Sequence, residues 1–188
     1  MLEPHVLKDV YTIVHLIGVT LGAGGAFVSD AMFVSVFKDM KIDKTELRLV
    51  KVSSSLIWLG LLVLLISGIL LFSMNPERYL TSSKFLVKMI IVGAIFINGL
   101  YLHLKLLPLC AKHANRNLST DREFIKHRPL LFTSGAISFT SWVSVIILGS
   151  LRSVPMDFWP LLGLYSLVVA VAIVIGNIAA PHILNSKL

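Results

Sequence analysis

Five long apolar runs dominate this chain of 188 residues and constrain its fold more than any other feature. They cover residues 10–37, 54–74, 85–107, 130–151 and 158–180. A helix needs roughly 20 apolar residues to cross a bilayer, and every run is long enough. Helices also pair their own backbone groups, which lipid cannot do. The pattern predicts an all-α fold, a polytopic transmembrane helical bundle with five spans, formed by one integral membrane domain over residues 1–188.

Composition supports membrane lipid as the solvent of this chain. Hydrophobic residues make up 56% of the sequence and charged residues 14%, with a mean hydropathy of +0.85, which is more apolar surface than a soluble domain can bury. The net charge of +7 raises the question of nucleic acid. Because the cations cluster in loops between apolar runs, topology explains them and nucleic acid is excluded as a partner. The single cysteine, Cys110, excludes an internal disulfide.

The distribution of lysine and arginine predicts the orientation. Five cations follow the first run, six lie from Lys105 at the end of the third run to Arg128 before the fourth, and Lys187 is in the tail, so one side carries twelve. The other side carries four, namely Lys8, Arg78, Lys84 and Arg152. Cytoplasmic loops are rich in lysine and arginine, which places the N-terminus outside and the C-terminus inside. We expect a multi-pass protein of the bacterial inner (plasma) membrane.

Proline residues mark the expected ends of the helices. Pro76, Pro108, Pro129, Pro155 and Pro181 all fall near the boundaries of the apolar runs. Proline lacks a backbone N–H and is tolerated best where a helix begins or ends. The second run, by contrast, is almost free of polar residues and predicts broad contact with lipid.

Two nitrogen-bearing side chains lie inside the apolar runs at similar predicted depths. His15 is about five residues from the start of the first run, and Lys88 is about four residues beyond Lys84. Ionisable residues inside a membrane span usually bind a ligand, transfer protons or line a pathway. A lysine can instead extend its amine to the headgroups, which is the alternative for Lys88. The pair predicts a site in the outer half of the membrane.

A second polar layer is predicted nearer the inner surface. Asp30 and His103 each follow their outer counterpart by fifteen residues, which is about 22 Å of helix and brings each pair within roughly 60° on its helix. They are candidates for proton exchange with the cytoplasm. The alternative is that Asp30 pairs with a cytoplasmic lysine and that His103 lies at the interface.

Glycine residues give the first run a smooth face. Gly18 and Gly22 form a GxxxG pattern and Gly25 follows, which lets another helix or a flat ligand approach the backbone. An imidazole on a span, with glycines nearby, is typical of sites that hold haem b through an axial nitrogen ligand. Close helix packing is the favoured alternative for the glycines.

The residues His15 to Gly18, Gly24-Gly25 and Lys88 to Val92 resemble the HemJ-type protoporphyrinogen oxidases and the related CopD-like group of small bacterial membrane proteins. The resemblance implies that His15 and Lys88 are functional, with His15 as a metal ligand. It implies haem b as the cofactor, with Lys88 as a second ligand or a cation for a porphyrin propionate. It also implies oxidation of protoporphyrinogen, with a porphyrin or a quinone as candidate partner.

Two other classes of function compete with a haem-binding redox protein. The polar layers, with Ser134, Ser138 and Ser141 on the fourth run, are also typical of a transporter or channel for a proton, copper or another small solute. Scattered methionines do not favour copper. A structural subunit that forms a homodimer through its GxxxG face is the third alternative.

Overall fold

A computed structural model describes residues 3–39, 42–112, 114 and 122–185, and these form helices and short connections without a strand. Five of the helical stretches are long and apolar enough to cross a membrane, which confirms the predicted all-α transmembrane bundle. The helices in chain order are α1 (Pro4–Asp39), α2 (Lys44–Met74), α3 (Pro76–Leu80), α4 (Ser83–Tyr101), a π-helical segment (Leu102–Leu106), α5 (Leu107–Lys112), α6 (Arg122–Ser150) and α7 (Phe158–Asn185).

The helices extend beyond the apolar runs that predict them. Helix α2 begins at Lys44, ten residues before its apolar run, because Asp43 and Glu46 form a reciprocal capping box that pairs the first free backbone N–H groups. Polar residues therefore continue the helix outside the predicted span. Helices α1, α2 and α6 therefore begin earlier in the sequence than the predicted spans do.

Three of the five prolines do not end a helix, so that prediction is wrong for them. Pro129 lies inside α6, Pro181 inside α7, and Pro108 inside a continuous helical stretch. Pro108 cannot pair with the carbonyl of Leu104, four residues earlier. The chain accommodates this by a wider turn, in which the N–H of Leu107 donates to Leu102, five residues back.

Helices α1 and α2 run antiparallel and form the most extensive helix pair of the bundle. Gly22 of α1 lies against Gly60 of α2, so the two backbones approach with no side chain between them. In lipid the hydrophobic effect does not drive helices together, so their association depends on van der Waals packing. Small residues at such crossings allow that packing to be close. The hairpin of α1 and α2 is therefore a tightly joined unit.

Helix α6 lies centrally, in contact with α1, α4 and α7. Its Trp142, only 1% exposed, packs onto Gly22 of α1. Helices α2 and α4 meet differently, through aromatic side chains rather than through their backbones. Phe72 stacks on Phe85 with ring centroids 5.8 Å apart, and Trp58 meets Phe96 edge-on at 5.4 Å. Side-chain contacts alone thus close the bundle between α2 and α4.

Candidate functional site

His15 is held by a serine of the neighbouring helix. Its Nδ1 lies 2.9 Å from the hydroxyl oxygen of Ser67 on α2. That hydroxyl donates its proton to the carbonyl of Val63 at 2.6 Å, with Leu64 O a longer alternative at 3.3 Å. A hydroxyl has one proton, so while Ser67 donates to Val63 it can only accept from His15. In that arrangement a neutral imidazole carries its proton on Nδ1.

The other ring nitrogen of His15 stays available. Nε2 has no hydrogen-bond partner in the described part of the chain and is not enclosed by it. Gly68 follows Ser67, and its missing side chain leaves only hydrogen beside Cε1 of the imidazole, 3.7 Å from where a Cβ would be. Fixing one imidazole nitrogen by an outer hydrogen bond and leaving the other as a lone pair is how proteins present histidine to a metal.

Lys88 of α4 lies near this imidazole. Its side chain is half-buried, and its charge acts on His15 while the charge of Lys84 acts on Lys88. Lys84 itself donates to the carbonyl of Leu151 at the end of α6. Lys84 therefore ties α4 to the end of α6, and Lys88 is the lysine whose charge acts on the imidazole.

Asp30 lies in a second polar layer, against α6. One carboxylate oxygen, Oδ2, is buried without a hydrogen-bond partner among the described residues, and Oδ1 lies 3.9 Å from the position of a Cβ on Gly135. Next to Gly135, the Ser134 hydroxyl donates to Asn98 Oδ1 of α4 at 2.6 Å, and Asn98 Nδ2 donates to the Ser134 carbonyl at 3.0 Å. Asp30 is thus at the level of an interhelical polar pair.

The same layer continues to α7. Asn177 donates from Nδ2 to the hydroxyl of Thr133 at 3.1 Å. Seven residues beyond Ser134 on α6, the hydroxyl of Ser141 forms a hydrogen bond with that of Tyr165 at 2.8 Å. Ser134 and Ser141 of the predicted serine stripe therefore join helices to one another, while Ser138 is buried at 7% exposure. Interhelical hydrogen bonds of this kind hold transmembrane bundles together.

His103 lies in the π-helical segment and contacts α2. Its Nδ1 is 3.0 Å from the hydroxyl of Ser54, and its ring meets Trp58 edge-on at a centroid distance of 6.1 Å. His103 is five residues beyond Asn98, about 7 Å further along the helix than the level of Asp30. Within the described residues no contact joins Asp30 to His103; each faces a different helix.

The predicted glycine face is filled in the structure. A Cβ on Gly18 would lie 3.0 Å from the backbone N of Leu64, and one on Gly25 would lie 3.0 Å from the carbonyl of Ser53. A Cβ on Gly22 would collide with the ring of Trp142. All three glycines therefore serve the packing of α1 against α2 and α6 within one chain, which is the alternative that the sequence favoured.

Sequence reasoning missed the partners that α2 supplies. Ser67 and Ser54 orient the two imidazoles, although α2 was expected mainly to face lipid; its Leu62 and Leu65 are indeed exposed. One signal was present. Ser67 is the only hydroxyl between residues 56 and 72, and an isolated serine in so apolar a run needs a reason to be there.

The described residues contain no group of three or more His, Cys, Asp or Glu side chains able to hold a metal ion. The fold defines a multi-pass helical membrane protein. Comparison of the chain with protein-family models, curated proteins and solved structures gives no match.

Ser67→Ala is expected to release the imidazole of His15 from its single tautomer. Losing a hydrogen bond of about 1 kcal/mol changes the tautomer ratio about fivefold. Nitrogen-15 NMR of histidine-labelled protein in micelles measures the ratio directly. Ser73→Ala is the control, because this hydroxyl on the same helix bonds only to Leu70 of its own helix. A wild-type protein with its proton on Nε2 would contradict the assignment.

Proposed function

We propose that this chain is a haem b-binding redox protein of the membrane and that His15 is an axial ligand. One observation carries the proposal: an imidazole within a membrane span is held at Nδ1 by Ser67, while its Nε2 has no hydrogen-bond partner among the described residues. A side chain arranged in this way is ready to donate to iron.

Lys88 is proposed to share the site with His15. As a neutral amine it supplies a second nitrogen, and as an ammonium it pairs with a carboxylate of the porphyrin. Haem, when bound, supplies reversible one-electron chemistry. The residues of the chain orient the ligand through Ser67, limit access by water through the surrounding apolar helices, and place a positive charge beside the imidazole.

The filled glycine face moves the proposed cofactor position away from the interface of α1 and α2. Helices α2 and α4 contact each other through aromatic side chains at two levels, Trp58 with Phe96 and Phe72 with Phe85. Gly68 and Lys88 lie on these two helices, between the levels of the aromatic pairs. We place the flat ligand beside His15 on this side, with Gly18, Gly22 and Gly25 supporting it indirectly through helix packing.

Oxidation of protoporphyrinogen is the activity that we propose for the site, on the basis of the resemblance to HemJ-type proteins. A porphyrinogen is an apolar macrocycle, puckered at its four methylene bridges, and it bears carboxylates, which suits an imidazole and an amine within apolar helices. A quinone is the electron acceptor that a membrane site of this kind would reach through lipid. Twelve lysine and arginine residues are predicted on the same side of the membrane as the C-terminus, which favours a bacterial inner membrane with that side in the cytoplasm.

An absorption spectrum of the detergent-purified protein from haem-replete cells tests the proposal. We expect a Soret band that shifts when the protein is reduced with dithionite. A colourless protein, or haem that separates from the protein on size-exclusion chromatography, would refute haem binding. The polypeptide can then be assayed independently with protoporphyrinogen and a quinone, which separates binding from catalysis.

Asp30 supports a second function, the transfer of protons or another small cation across the bundle. A carboxylate oxygen buried without a partner is unfavourable unless it binds something, and unpaired acids within membrane spans commonly take part in proton relays. The neighbouring hydrogen-bonded pair of Asn98 and Ser134 adds polar groups at the same level. His103 is the candidate for exchange with the cytoplasm near the C-terminal end.

Under this second function, Asp30→Asn is expected to lower proton flux at least tenfold, because an amide keeps the shape of the carboxyl group but cannot bind and release a proton. Flux is measured in proteoliposomes with an internal pH dye after a potassium diffusion potential is applied. Asp9→Asn serves as the control, since Asp9 is an exposed acid near the start of the same helix. Undiminished flux in Asp30→Asn and in His103→Ala would count against proton transfer through these residues.

A further inference from the structure

A groove at the N-terminal end of the bundle is lined by basic, polar and apolar side chains. It lies between the first two turns of α1 and the end of α2 with α3, and it has a volume of about 260 Å3. We call it the terminal groove; its lining residues include His5, Lys8, Asn75, Arg78 and Tyr79. Three of these side chains are basic, and none of the described residues that line the groove is acidic.

Two of the basic side chains have no acidic partner within the described chain. His5 lies 3.7 Å from the carboxylate of Glu3, which uses part of its capacity. Lys8 and Arg78 form no ion pair with a described residue. Asn75 accepts from the backbone N–H of Arg78 and so fixes the turn that carries this arginine. The groove therefore presents two cations, from two different helices, that form no ion pair with a described residue.

The groove is amphipathic and lies at the membrane boundary. Leu71 and Met74 form its apolar side, and the apolar runs of the first two spans end at residues 10 and 74. We therefore expect its cationic side at the level of the lipid headgroups and its apolar side toward the hydrocarbon. Tyr79 lines the same groove, in keeping with the preference of tyrosine for the membrane interface.

The size of the groove limits what can occupy it. Pockets that enclose a whole drug-sized ligand measure about 300–1,000 Å3, and this one is smaller. It accommodates the polar end of a molecule whose apolar remainder lies along the outside of the helices. We infer that the terminal groove binds the anionic headgroup of a membrane phospholipid through Lys8 and Arg78. This inference does not depend on haem binding or proton transfer.

Native mass spectrometry of the full-length protein in detergent tests the inference. The protein is titrated with phosphatidylglycerol, with phosphatidylcholine of the same chain length, and with inorganic phosphate. Near a membrane surface each lysine or arginine favours an anionic lipid by about 1 kcal/mol, so two residues correspond to a preference of about thirtyfold for phosphatidylglycerol. We expect that preference in the wild-type protein and its loss in the double variant K8Q/R78Q.

Arg152→Gln is the matched control. It removes one charge from an exposed arginine at the same end of the bundle, between α6 and α7 and outside the groove, and should keep the preference. Size-exclusion chromatography confirms that each variant is folded. Equal affinity for the two lipids in the wild-type protein, a preference that survives in K8Q/R78Q, or displacement of the lipid by inorganic phosphate at equal concentration would each overturn the inference.

Discussion

Replacing His15 with alanine is expected to remove the Soret band and to lower the haem content of the purified protein at least tenfold. The imidazole has an orienting hydrogen bond to Ser67 and a second nitrogen without a partner among the described residues. Removing it takes away the proposed iron ligand and leaves Ser67 with no ligand to orient. Absorbance per mole of protein, measured after size-exclusion chromatography, gives the result. The loss of bound haem should be nearly complete, because Lys88 alone is not expected to hold the porphyrin in place.

His103→Ala is the matched control for this experiment. His103 also bonds a serine of α2 through Nδ1, but it is exposed and lies near the opposite end of the bundle. It should leave the Soret band unchanged. Added imidazole should restore part of the band in His15→Ala, since the cavity left by the side chain can admit it. A band that disappears in His103→Ala and persists in His15→Ala would show that the haem site is elsewhere.

Gly60→Leu is expected to destabilise the bundle by more than about 3 kcal/mol, the upper part of the range for overpacked interiors. A Cβ on Gly60 would lie 2.7 Å from Cα of Gly22 and 2.8 Å from the carbonyl oxygen of Gly18. These are backbone atoms and cannot rotate away as a side chain can. Helices α1 and α2 would have to separate, which also pulls Ser67 away from His15. Unfolding by SDS in mixed micelles, followed by circular dichroism, measures the loss.

Gly60→Ala provides a milder test in case the leucine variant does not fold, with an expected loss of about 1–3 kcal/mol. Gly24→Ala, on the partner helix α1, is the control. A Cβ there would meet no neighbour within 4 Å, and the change from glycine to alanine in a helix should stabilise by up to about 1 kcal/mol. A Gly60→Ala protein as stable as Gly24→Ala would show that α1 and α2 do not approach as closely as described.

The sequence was sufficient for the membrane architecture because the bilayer imposes one strong rule, an apolar run of fixed minimum length. The five spans follow from that rule alone, and the structure confirms them. Helix ends were harder. Pro108 was expected to end a helix, yet a π-helical turn absorbs it, since widening one turn removes the clash without breaking the remaining backbone bonds.

The candidate site was predicted in part. The sequence identified His15 and Lys88 from the unfavourable burial of polar nitrogen in lipid, and the structure places them within electrostatic range. It could not identify Ser67, because a hydrogen-bond partner 52 residues away depends on the register of two helices. It also could not decide between a ligand and a helix on the glycine face, since both need the same lack of side chains.

The fixed length of helix α2 has a consequence for the transfer of electrons or protons between the two ends of the bundle. Ser54 and Ser67 belong to the same continuous helix, thirteen residues apart, so their separation is about 20 Å and cannot change without breaking the helix. The two imidazoles are therefore kept at a constant spacing too long for one ion or one small molecule to bridge. Electrons or protons that pass between them must travel by way of intermediate carriers, and between its two serines α2 offers only Ser55 and the indole of Trp58, both close to the Ser54 end.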